Sequence, residues 1–157
     1  MYTKDNYEIN SSTMAIIPID DEYSKVYEEE EEYIVKQSSN KIIKENCKFF
    51  GSSYIGRCAG TKQMTGIKSK FPIILEESRN IIFFPTSSPR KMQSCWFALN
   101  KIKLCSRDKN STSKILFKND LILNIDISVY SLENQIVRST MLKSKLLERK
   151  LEEKINK

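Results

Sequence analysis

Phe71-Pro72-Ile73-Ile74-Leu75-Glu76-Glu77-Ser78-Arg79-Asn80-Ile81-Ile82-Phe83-Phe84-Pro85 places two apolar tetrads on either side of five polar residues. β-Branched and aromatic runs bounded by prolines and a polar cluster read as strands, and the short spacing joins them as a β-hairpin. Downstream, Pro85 to Gln93 reads as a basic loop holding Arg90 and Lys91, and Trp96 to Leu104 alternates as one strand. Ile115-Leu116-Phe117 and Leu121-Ile122-Leu123 make a second hairpin that turns at Asn119-Asp120. The chain closes on a long helix over residues 131–155, capped by Ser128 or Ser131. Leu132, Ile136, Val137, Thr140, Met141, Leu147, Leu151 and Ile155 form its apolar stripe. The first half is expected to pack on the sheet, and the last turns to extend or pair with another chain.

Upstream of the opening hairpin, all four glycines lie between Gly51 and Gly66, which points to one place needing positive φ or close backbone approach. Before them Ile42, Ile43, Cys47 and Phe50 fall at helical spacing, with caps in Gln37-Ser38-Ser39-Asn40 and a stop at Gly51. The N-terminal segment reads as a hairpin of Tyr7 to Asn10 with Thr13 to Ile17, turning at Ser11-Ser12 and ended by Pro18. Tyr23 to Val35 reads as two strand ends around an exposed acidic bulge, Glu28 through Glu32, because like charges so dense disfavour a buried strand. The expected class is α+β, one domain over residues 1–157. Antiparallel hairpins form its sheet, with a short helix near 40–50 and the long C-terminal helix.

With 39% apolar and 29% charged residues, the chain has enough of a core to fold. Neither a membrane span nor a secretory signal is present, so a cytoplasmic, nucleoid-associated location is expected. The four cysteines, at positions 47, 58, 95 and 105, lack the close pairs of structural zinc and read as free thiols. No histidine exists, which removes the Ser-His and Cys-His nucleophiles and the usual general base. No catalytic role, metal or cofactor is expected. The net charge of +6 is unevenly divided: residues 1–35 hold ten acids against two bases, and the rest hold 24 bases against ten acids. Such a basic remainder attracts polyanions.

The densest local signal is Cys47-Lys48-Phe49-Phe50-Gly51-Ser52-Ser53-Tyr54-Ile55-Gly56-Arg57-Cys58-Ala59-Gly60-Thr61-Lys62. Small residues, hydroxyls and main-chain amides suit contact with a phosphate, and Arg57 and Lys62 add charge. An irregular turn packed by Phe49, Phe50 and Tyr54 is the alternative. This stretch resembles the F-F-G-S-S-Y-x-G-R-x-A-G-T segment of the competence transcription factor family, ComK. Asn80 to Ser88 with Cys95-Trp96 is similar to that family's apolar-Phe-Pro-Thr strand, basic loop and tryptophan. Leu132 to Thr140 is similar to its F-E-N-Q-V-x-R-T helix start.

The resemblance implies an activator of DNA-uptake genes in Gram-positive bacteria. It implies an oligomer that binds paired A·T-rich boxes on double-stranded DNA, largely through the minor groove, with RNA polymerase a candidate partner. Candidate DNA contacts are Arg57, Lys62, Lys68, Lys70, Arg90, Lys91 and Arg138; only Arg57 rests on a motif match. Asn134 is expected to anchor the helix. Cys58 and Lys48 depart from family bases, and Val137 and Met141 take positions of aromatic residues. The chain stops soon after Arg149, which puts control through a longer tail in doubt. A second reading is a non-catalytic regulatory protein that binds a related transcription factor.

Overall fold

The computed structural model describes residues 2–156. Ten strands and three α-helices follow in the order β1 (Tyr2–Lys4), β2 (Thr13–Pro18), β3 (Ser24–Glu28), β4 (Glu32–Val35), α1 (Ser39–Phe49), α2 (Tyr54–Thr65), β5 (Ile73–Glu76), β6 (Ile81–Pro85), β7 (Trp96–Ala98), β8 (Ile102–Arg107), β9 (Ser113–Phe117), β10 (Ile122–Ile125) and α3 (Val129–Ile155). A seven-stranded sheet runs β1-β4-β3-β2-β7-β6-β5, and a three-stranded sheet runs β10-β9-β8. All pairings are antiparallel except β1 with β4. The α+β class and both expected helices are therefore present.

The large sheet is covered on both faces, because successive side chains in a strand point to opposite sides. Trp96, Phe83 and Ile16 pack with Ile42, Ile43 and Cys47 of α1 on one side. Phe97, Phe84 and Met14 pack with Ile115 and Phe117 of the small sheet and Leu132 of α3 on the other. Farther along that second face, Ile74 and Ile82 meet Leu142 and Leu146 of α3. The opening hairpin is as expected, with Ile73 opposite Phe83 and Ile74 opposite Ile82.

Three expected elements differ. Tyr7 to Asn10 alternates like a strand but pairs with a side chain: Asn46 of α1 accepts from the Ile9 amide at 2.8 Å and donates to the Tyr7 carbonyl at 2.9 Å. The N-terminal hairpin is instead β2 with β3, where the Ile19 amide donates to the Tyr23 carbonyl. Trp96 to Leu104 is not one strand. A 3-10 turn at Leu99–Lys101 carries the chain from the large sheet to the small one. The glycine-rich stretch spans the end of α1, a short turn at 50–53 packed by Phe50 and Tyr54, and the unexpected helix α2, capped by Ser53, whose hydroxyl accepts from the Gly56 amide at 3.0 Å. Of the four glycines, Gly51 and Gly66 have positive φ, 84° and 79°, each just beyond a helix end where that conformation closes the last turn.

The acidic bulge forms the β3–β4 turn. Glu29 ion-pairs with Lys101, its carbonyl accepts from Asn119 at 2.9 Å, and Glu28 takes the Tyr7 hydroxyl. Burial, reinforced by Glu28, pushes the Tyr7 phenol well above its ordinary range.

The long helix begins at Ser128, which accepts from the Ser131 amide at 3.1 Å. Its buried face is Leu132, Gln135, Ser139, Leu142 and Leu146, which shares only Leu132 with the stripe expected from sequence, Ile136 being half-buried against the same core. Val137, Met141, Leu147, Leu151 and Ile155 of that stripe are exposed. The small polar residues Gln135 and Ser139 hid the true face, since packing against a sheet accepts any side chain whose hydrogen bonds are met. Packing extends past the helix midpoint, and Lys150 still reaches the Glu77 carbonyl and Asn80 at the β5–β6 turn.

Candidate nucleic-acid interface

The start of β5 and the end of β6 lie side by side, and two basic segments meet the sheet there. One is the link from α2 to β5, carrying Lys68 and Lys70. The other is the loop from Thr86 to Cys95, carrying Arg90 and Lys91. Gln135 of α3, 2% exposed, stands between them. Its amide nitrogen donates to the Lys70 carbonyl at 3.0 Å and to the Pro85 carbonyl at 2.7 Å. The Gln135 carbonyl oxygen accepts from Arg138, which also donates to the Ser69 carbonyl. Partial burial lowers the Arg138 pKa from its ordinary value, but a guanidinium stays charged.

The second loop has its own support. Asn40 in the first turn of α1 donates to the carbonyls of Pro89 and Met92 at 3.1 and 3.0 Å. Its side-chain oxygen accepts from the Ser94 amide at 3.3 Å and from the Trp96 indole at 3.0 Å. The Asn40 backbone amide donates to Gln93. The loop neck is closed by the Thr86 amide, which donates to Ser94 and to the Cys95 carbonyl. Only Arg90, Lys91 and Met92 at the tip are exposed.

Lys62, Lys68, Arg90 and Lys91 are exposed, and Lys70 is half-buried with a φ of 46°. Lys62 follows Thr61, which donates to the Pro72 carbonyl at 2.6 Å, so it lies toward the same end of β5 as Lys68 and Lys70. Arg57 is elsewhere. It lies just over a helical turn before Lys62 on α2, with its guanidinium 3.6 Å from Glu77 in the β5–β6 turn. Its side chain is only 19% exposed, and its Nε is buried without a partner among the described residues. Arg138 is tied into the Gln135 cluster. Lys62, Lys68 and Lys70 thus lie toward the start of β5, Gln135 ties the Lys70 carbonyl to Pro85 at the mouth of the Arg90–Lys91 loop, and Arg57 is held by Glu77 in the β5–β6 turn.

Sequence reasoning missed Asn40 and Gln135 as positioning residues. Asn40 was legible only as part of a cap cluster. Gln135 stood inside a quoted motif, but Asn134 was expected as the anchor, and Asn134 is exposed.

A family model described as ComK protein matches residues 4–151. The chain belongs to the ComK family. The competence transcription factor of Bacillus subtilis (strain 168) is 34% identical over 148 residues, covering 92% of this chain and 77% of that protein. No solved structure matches. In this ComK-family chain the three segments that resemble the family meet in space. The first forms the α1–α2 junction, and its Tyr54 ring meets Trp96 of the second edge-on, centroids 6.2 Å apart. The second is β6 and the start of the basic loop, and the third is the first turns of α3, joined to it through Gln135 and Pro85.

Proposed function

We propose that this protein is a competence transcription factor that binds double-stranded DNA and activates DNA-uptake genes. The observation that carries the reading is the pair of basic loops fixed beside one another by Gln135. Their cations sit on loops, from which Arg and Lys reach into a groove and contact phosphates without a recognition helix. Preformed loops lose little conformational freedom on binding, which favours affinity. Membership of the ComK family supports paired A·T-rich boxes as the target, read from the minor groove. Lys62, Lys68, Lys70, Arg90 and Lys91 are the proposed contacts, with Arg138 and Arg57 shaping the surface from behind. No catalytic step is ascribed to the protein, and RNA polymerase is the partner that activation requires.

A titration of labelled duplexes tests this. Affinity should fall steeply with salt, and paired A·T boxes should be preferred over a G·C duplex by a few kcal/mol. Equal, feeble binding to both would defeat the reading. The exposed stripe on α3 supports a homo-oligomer, and it is also what favours the second reading, a regulator that binds a related factor.

A further inference from the structure

We propose that Met92 is a wedge that enters between stacked base pairs from the minor groove while Arg90 and Lys91 hold the backbone on either side. The proposal rests on the DNA-binding reading above and extends it to a single specificity-determining side chain. Met92 is 60% exposed at the loop tip, beside two cations. One exposed apolar side chain means little by itself. What sets this one apart is the support beneath it.

Asn40 holds the Met92 carbonyl at 3.0 Å and the Pro89 carbonyl at 3.1 Å. The amides of Lys91 and Met92 both turn back to the Ser88 carbonyl, at 3.0 and 3.3 Å. Ser94 takes the amides of Thr86 and Ser87 at 2.9 and 3.2 Å. Separating stacked bases costs free energy, so a wedge needs backing that does not yield. A tip whose carbonyls are bonded to a buried amide has that backing. Apolar wedges, methionine among them, kink duplexes in this way.

The minor-groove pattern of donors and acceptors separates A·T from G·C but not A·T from T·A, and a wedge adds a preference among A·T-rich steps that this pattern cannot supply. Pyrimidine–purine steps such as TA unstack most easily, so a wedge selects them by deformability, not by hydrogen bonding. Met92 would then set sequence preference, and the neighbouring cations would set overall affinity.

The test compares the full chain with Met92→Ala, Met92→Ile and the double variant Arg90→Ala/Lys91→Ala. Each is titrated onto A·T-box duplexes carrying end dyes for bend and 2-aminopurine at single adenines for unstacking. Met92→Ala should lose the bend and the 2-aminopurine signal, and its preference for A·T boxes should fall at least tenfold. Its salt dependence should stay unchanged, and Met92→Ile should restore the bend. The charge variant should instead flatten the salt dependence. If the unaltered protein binds with steep salt dependence and Met92→Ala keeps bend, signal and preference, the wedge is overturned and DNA binding stands. If the unaltered protein shows no salt-dependent binding, both fall together.

Discussion

The side-chain amide of Gln135 donates to the Pro85 carbonyl at 2.7 Å, tying the first turns of α3 to the mouth of the basic loop. The same nitrogen holds the Lys70 carbonyl, so one buried group sets the spacing of two charged segments. Gln135→Leu would keep the volume and leave the buried Pro85 carbonyl unpaired, at a cost of about 1–3 kcal/mol. The denaturant midpoint should fall accordingly. DNA affinity measured well below that midpoint should fall as well, because the loops lose their common support.

Asn40→Ala should act on the second loop alone. It strands the Trp96 indole N–H and the Ser94 amide in the core, which costs about 2 kcal/mol or more. Trp96 is the only tryptophan in the chain, so its emission reports the change directly. A shifted emission with Lys68 and Lys70 still contributing to the salt dependence is expected.

Charge neutralisation separates the grouped cations from Arg57. Alanine at Lys68, Arg90 or Lys91 should each lower the slope of log affinity against log salt by about 0.9 if each neutralises one phosphate. Arg57→Ala should leave that slope alone and reduce stability by about 1 kcal/mol or less through the Glu77 pair and the packed stem. A slope change on Arg57→Ala would place it among the DNA contacts after all.

Much of this architecture was readable from local pattern. The 71–85 hairpin, the helix ending at Gly51 and the long terminal helix all announce themselves through apolar runs, caps and stops. What stayed hidden depends on distant partners. Tyr7 to Asn10 has the alternation of a strand, yet its backbone partner is the side chain of Asn46, which no periodicity reveals. Gly56 and Gly60 argue against a helix, each costing about 1 kcal/mol relative to alanine, but a Ser53 cap and the Thr61–Pro72 contact override them. Lys68, Lys70, Arg90 and Lys91 were legible as charge; the link that Gln135 makes between the Lys70 and Pro85 carbonyls was not, because it joins residues some sixty-five and fifty apart.

Acid should reveal the β5–β6 turn. Burial alone would raise the Glu76 carboxyl, but hydrogen bonds from the side chains and amides of Ser78 and Arg79 prevail and hold it at about 2. A carboxyl depressed in the fold contributes stability above its unfolded value, and that contribution is lost as pH falls through the folded one. Glu76→Gln should therefore be less stable than the unaltered chain at pH 7. The gap should close between about pH 5 and pH 2, since ordinary carboxyls titrate near 4. Denaturation curves across that range check it.

The outward face of α3 gives the last test. Tyr130, Val137, Met141, Leu151 and Ile155 are exposed and recur at helical spacing on the side opposite Leu132, Gln135, Ser139, Leu142 and Leu146. A helix apolar on two opposite faces has one face left for another chain. Val137→Glu with Leu151→Glu should leave the fold's stability within about 0.5 kcal/mol, because both positions are already in solvent. Assembly should weaken at the same time, and light scattering should show a smaller particle. Binding to paired boxes should then lose its advantage over a single box, since linked sites gain through effective concentration. If the double variant keeps its mass, and truncation after Arg149 also keeps it, α3 is not the contact between copies.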